Sequence, residues 1–158
     1  MNNFIKIEIK ALLENVACAR VAITSFVSNL EITIDELMDI KTALSEAVTN
    51  SIEHGYENIL DENSTVEIKA YIYEQDDDSF VKLEIKDRGI GIDDIELALT
   101  PTYTTKPELE HAGMGFTIME SFMDEILIDS DKENGTVVTL IKKIKKKKSW
   151  FVKKIENF

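Results

Sequence analysis

The sequence predicts an α/β fold, a two-layer α+β sandwich in which one mixed sheet is covered on one face by helices. Three observations predict it. Apolar residues alternate with polar ones at the period of a strand near residue 5 and again between residues 66 and 85. Two apolar stripes at helical spacing lie between those stretches. No repeat, linker or low-complexity segment interrupts the chain before its lysine-rich end, and 158 residues accommodate one ordinary core rather than two. The expected organisation is one domain over residues 1–144 and a lysine-rich tail over 145–158.

Ile5, Ile7 and Ile9 against Lys6, Glu8 and Lys10 read as a half-buried strand. Asn15 is placed to cap a helix over about 16–30, whose apolar positions are Ala19, Ile23, Phe26, Val27 and Leu30. Thr33 and Glu36 have capping-box spacing, and Leu37, Ile40, Ala43, Leu44, Ala47, Val48 and Ile52 draw the buried stripe of a longer helix that Gly55 would stop. Val66, Ile68, Ala70 and Ile72, then Val81, Leu83 and Ile85, alternate on either side of Asp76-Asp77-Asp78, which is a hairpin pattern. A Gly-rich turn at 87–91, a short helix, a loop from about Thr100 to Ala112 and a helix over Ala112–Phe122 follow. Strands over about 125–130 and 136–144 flank Lys132-Glu133-Asn134-Gly135. The order is β-α-α-β-β-α-α-β-β.

Net charge is −12, unevenly spread: eight of the 18 basic residues lie between Lys142 and Lys154 and only one of the 30 acids follows Ile141, which leaves residues 1–141 at −19. A body of that sign repels phosphate backbones, so direct nucleic-acid binding by the folded domain is not expected and basic partner surfaces are. Cys18 is the sole cysteine, which excludes an intramolecular disulfide and a cysteine metal site. No apolar run approaches the roughly 20 residues of a membrane span, and the N-terminus lacks a signal-peptide pattern. The expectation is a cytoplasmic protein without a membrane association.

Four motifs carry candidate chemistry. Glu46 and Asn50 stand four apart on the second helix and so share a face, with His54 continuing the line. A carboxylate there can take a proton while an amide oxygen one turn away ligates magnesium, although a plain polar helix face has the same spacing. Asp87-Arg88-Gly89-Ile90-Gly91 follows a strand; its glycines permit close approach of a flat ligand and its carboxylate can accept from an exocyclic amino group, yet acidic turns are common. Thr104-Thr105-Lys106 and Gly113-Met114-Gly115 precede an apolar helix whose bare N-terminal amides suit a polyphosphate, with a Gly-capped flexible loop as the plainer reading. No Walker-type Lys-Ser/Thr pair follows, which excludes the usual P-loop. Gly135-Thr136 is the weakest of the four, an ordinary turn-to-strand junction by itself.

In this order and spacing the four motifs resemble the N, G1, G2 and G3 boxes of the GHKL ATPase and kinase superfamily. The runs Ser45–Asn50, His54–Asn58, Thr104–Glu110 and Gly113–Glu120 resemble more closely its sporulation anti-sigma F branch, the stage II sporulation protein AB family, over residues of about 5 to 142. The resemblance implies a Bergerat-type fold that binds ATP and magnesium, a homodimer that holds a sigma factor inactive, and a protein-serine kinase whose substrate is the anti-anti-sigma factor. It implies Glu46 as general base, Asn50 as magnesium ligand, and Asp87 as acceptor of the adenine amino group. Gly89 and Gly91 would shape the adenine pocket and Thr136 would bond near it. Thr105, Lys106, Gly113 and Gly115 would belong to the phosphate lid, and Arg20 to the partner surface. His111 stands where the family pattern has arginine, and Val16 where it has an acid. Other readings are an ATP-gated sigma-binding module without turnover, the related stress-response switch kinase, and a histidine-kinase catalytic domain. Against the last, no phospho-accepting histidine helix precedes the motifs.

Overall fold

The computed structural model describes residues 2–57, 60–100 and 113–145. Along the chain these form β1 (Asn3–Lys10), a 3-10 turn (Leu13–Asn15), α1 (Val16–Val27), α2 (Ile34–Asn50), a π-helical turn (Ser51–Gly55), β2 (Thr65–Gln75), β3 (Asp78–Lys86), α3 (Ile95–Ala98), α4 (Gly115–Phe122), β4 (Glu125–Asp131) and β5 (Gly135–Ile144). The succession of strands and helices is the one the periodicities predict.

The five strands form one sheet in the order β1-β2-β3-β5-β4, and every neighbouring pair is antiparallel. This corrects the expectation of a mixed sheet. β1 and β2, joined through α1 and α2, lie side by side and antiparallel, while β3 and β4, joined through α3 and α4, run the same way and are separated by β5, which is antiparallel to both. β2 and β3 are joined by a tight turn in which Asp76 and Asp77 have φ of 51° and 68°. Positive φ at both central positions matches the right-handed twist of the flanking strands, and aspartate tolerates it better than most residues.

Alternation along the strands sends Val66, Ile68, Ala70, Val81, Leu83, Ile85, Val138 and Leu140 to one face, where α1 and α2 cover them with Ala19, Ile23, Val27, Ile40, Ala43, Leu44, Ala47 and Val48; Met119 of α4 completes the core. The opposite face carries ion pairs such as Lys6–Glu67 and Lys82–Glu84, half exposed to water and of small energetic weight.

The helix ends show which local signals survive folding. The capping box forms: the Glu36 N–H donates to Thr33 Oγ1 at 3.2 Å and the Thr33 N–H to Glu36 Oε2 at 2.9 Å. Asn15 does not cap α1, because its backbone is already helical (φ −80°, ψ −13°) and its side-chain amide donates instead to the Lys10 carbonyl at 3.1 Å. A cap residue needs an extended backbone to aim its oxygen at the first free amides. Gly55 ends the helical run as predicted, but the α-helix stops at Asn50 and a π-helical turn bridges the rest.

Candidate functional site

The end of β3 delivers Asp87, only 2% exposed, to the middle of the molecule. Its N–H continues the ladder by donating to the Thr136 carbonyl at 3.0 Å. Its Oδ1 accepts from the Gly89 N–H at 3.0 Å and the Thr136 N–H at 3.2 Å, and the Ser51 hydroxyl donates to the same carboxylate. Burial pushes the Asp87 pKa up, and these three hydrogen bonds offset only part of that rise.

Close backbone packing makes this geometry possible. A Cβ on Gly89 would lie 1.9 Å from the Gly55 carbonyl oxygen, so no side chain fits there. The Ile90 N–H donates to that same carbonyl at 2.8 Å. Gly135 has φ +81° and a Cβ on it would lie 2.4 Å from the Asp87 carbonyl, so both conformation and space demand glycine. Gly91 backs onto the Asp131 carbonyl in the same way. Ser130 closes the turn: its hydroxyl accepts from the Ile92 N–H at 2.8 Å and shares a 2.8 Å hydrogen bond with the Thr136 hydroxyl.

Above Asp87 opens a cleft of about 1030 Å³, at the upper end of small-molecule sites. Glu46 and Asn50, one turn apart on α2, line one wall; Asp87, Gly91 and Thr136 line its depth; Gly113, Gly115 and Phe116, at the start of α4, line another wall. Gly115 lies against Asn50, where a Cβ would come within 2.8 Å of the Asn50 amide nitrogen. The first amides of α4 thus open beside a neutral amide side chain, a setting that suits an anion. Among the described residues no three His, Cys, Asp or Glu side chains converge on one point.

The structure therefore gathers Glu46, Asn50, Asp87, Gly91, Gly113, Gly115 and Thr136 around one cleft, with Gly89 packed immediately behind it. Arg20 is not among them: it lies half-buried on α1, away from the cleft, beside the exposed Val21. Val16 packs partly buried against the core. Thr105, Lys106, His111 and the lysine-rich segment from 146 onward lie outside the described residues. Sequence reading misses Ser51 and Ser130, and gives Gly55 only as a helix stop and Tyr56 only as part of the His54–Asn58 run. Tyr56 accepts the Arg88 N–H at 2.9 Å and donates to the Thr65 carbonyl, which fixes the loop after β3 from behind. Ser51, Gly55 and Tyr56 lie in or immediately after the π-helical turn, a feature often found at functional sites and one that no periodicity announces.

The sequence profile of the family described as histidine kinase-like ATPase domain matches residues 9–142. Over 142 residues, 90% of this chain and 95% of its relative, the sequence is 54% identical to an anti-sigma F factor of Clostridium beijerinckii. The chain belongs to the anti-sigma F factor family. A Bacillus subtilis anti-sigma F factor is 50% identical over 149 residues, 94% of this chain and 98% of that one. The fold is shared with a solved structure of the RsbU and RsbW domains of a Mycobacterium tuberculosis protein, at a TM-score of 0.61 and 20% identity, covering 90% of this chain and 32% of the other. An ATPase domain implies nucleotide binding, and the profile match spans every cleft residue named above. Among the described residues no helix is long and apolar enough to cross a membrane.

Proposed function

We propose that the domain, residues 1–144, binds ATP with magnesium in this cleft, holds a sporulation sigma factor inactive as a cytoplasmic homodimer, and phosphorylates a serine of an anti-anti-sigma protein. The observation that carries the reading is that Glu46 and Asn50, one turn apart, face the cleft whose depth is the buried Asp87 carboxylate.

Asp87 accepts the adenine amino group, a donor that guanine lacks at the same ring position. Its two backbone donors and Ser51 keep the carboxylate aimed before any ligand arrives. Gly89 and Gly91 let the base approach the backbone, and Thr136 bonds beside it. The amides around Gly113 and Gly115 face the phosphates, joined from the sequence by Thr105 and Lys106. Asn50 would hold magnesium, which when bound neutralises phosphate charge. Glu46 receives the proton of the substrate serine, and a rigid helix holds a base better than a loop does. Arg20 belongs to the surface for the sigma factor. The names of the relatives support the sigma-binding half of the reading.

The test is transfer of labelled γ-phosphate from magnesium ATP to the anti-anti-sigma protein by wild type and Glu46→Gln. Transfer that disappears in the variant while ATP still binds supports the kinase and its base. Tight ATP binding by wild type without transfer would make the protein a nucleotide-gated binding module.

A further inference from the structure

The cleft depends on how α4 lies against α2, because Gly115 at the start of α4 touches Asn50 at the end of α2. At the other end of the same pair stands Lys142 of β5. Its ammonium, on a side chain 13% exposed, donates to Asp39 Oδ2 at 2.9 Å and to the Phe122 carbonyl at 2.6 Å. Asp39 belongs to the first half of α2, and Phe122 is the last residue of α4, so one lysine joins three elements. The Phe122 carbonyl is among those a helix leaves without a partner, and a cation there also complements the helix dipole. Two neighbouring bonds hold the lysine's strand in place: the Lys143 N–H donates to Asp124 Oδ2 at 2.7 Å, and the Lys145 N–H to Glu36 Oε1 at 2.9 Å.

We propose that Lys142 is a positioning residue for the phosphate half of the nucleotide site, acting by fixing the far end of α4 to Asp39 so that Gly115 stays seated on Asn50. The inference rests on the nucleotide reading of the cleft. Its leverage is geometric. α4 has eight residues and is about 12 Å long at 1.5 Å per residue, so a tilt of 10° moves one end by about 2 Å relative to the other. A hydrogen bond tolerates only a few tenths of an ångström. The Asp87 end of the cleft is built from β3, β5 and the π-helical turn and does not pass through this clamp. Loss of the clamp therefore weakens contacts to phosphates and leaves contacts to adenosine unchanged.

The experiment compares adenosine and magnesium ATP binding by wild type, Lys142→Met, Lys142→Arg and Asp39→Asn, by competition against a fluorescent adenine nucleotide. Lys142→Met is expected to bind magnesium ATP about tenfold more weakly and adenosine within twofold of wild type. Lys142→Arg, which keeps a donor for both partners, is expected to recover most of the loss. Asp39→Asn keeps the lysine and its bond to Phe122 and is expected to show a smaller loss of the same kind, which keeps the test available if Lys142→Met does not fold. Equal losses for adenosine and ATP would reduce Lys142 to a general structural role, and unchanged ATP binding would remove any role; either overturns the proposal. Failure of the wild type to bind either ligand would instead overturn the nucleotide reading itself.

Discussion

Replacing Asp87 with asparagine should separate binding from folding. The amide keeps one carbonyl oxygen for the Gly89 and Thr136 amides, at 3.0 and 3.2 Å in the wild type. It places an NH2 group where a donor from the ligand is received, so a charge-assisted hydrogen bond is lost. Such bonds are worth about 1.5–3 kcal/mol, which corresponds to a loss of roughly 10- to 150-fold in affinity for ADP. The folded state responds differently. Burial raises the Asp87 pKa above its unfolded value, so the stability this group contributes is fully present below about pH 3.8 and is lost as the pH rises through the raised folded pKa. Above the raised folded pKa the ionised carboxylate is thus a burden on the unliganded protein, and Asp87→Asn should melt there at the same temperature as wild type or higher. Titration calorimetry with ADP and thermal unfolding of the unliganded proteins measure the two quantities. An affinity within twofold of wild type, or a parallel fall of affinity and melting temperature, would contradict a binding role for the Asp87 carboxylate.

Gly89→Ala should cost roughly 3 kcal/mol or more in urea denaturation, above the usual range for overpacking, because its Cβ would meet the Gly55 carbonyl at 1.9 Å and both partners are backbone. Glu36 has the opposite sign from Asp87. Burial raises its pKa, but hydrogen bonds from the Lys145 and Thr33 amides and the Thr33 hydroxyl outweigh that, and the net shift is downward. Its stabilisation is therefore present above about pH 4.5 and is lost as the pH falls through the lowered folded pKa. Glu36→Gln keeps one oxygen acceptor but loses the charge and the second acceptor, so it should be about 0.5–1.5 kcal/mol less stable at pH 7, with a shallower decline of stability on acidification. Chemical denaturation from pH 7 down to pH 3 checks both statements.

The number and order of elements were legible in the sequence because each strand and helix keeps its own period over several residues. Strand direction in the sheet was not, since it depends on which strands become neighbours in space: β3 and β4 run the same way, and β5 inserts between them antiparallel to both. Glu46 and Asn50 were legible because helical geometry puts residues four apart on one face. Gly135-Thr136, the weakest motif by sequence, is among the most tightly constrained: the Thr136 amide bonds Asp87 and a side chain at Gly135 would meet the Asp87 carbonyl. Nothing near it in the chain could say so, because its partner lies 49 residues away. The approach of Ser51 and Gly55 to Asp87 was hidden for a related reason. A regular α-helix rotates each residue by a fixed angle, and the five-residue π-helical turn changes that rotation and brings both to Asp87.

The most direct test of the account is an equilibrium titration of the wild-type protein with magnesium ATP and, separately, magnesium GTP. If the Asp87 carboxylate reads an amino donor at the base of the cleft, ATP binds at one site per chain and GTP binds at least tenfold more weakly, the loss expected from one charge-assisted hydrogen bond. Equal affinity for the two nucleotides, or no binding of either, would contradict the assignment of this cleft.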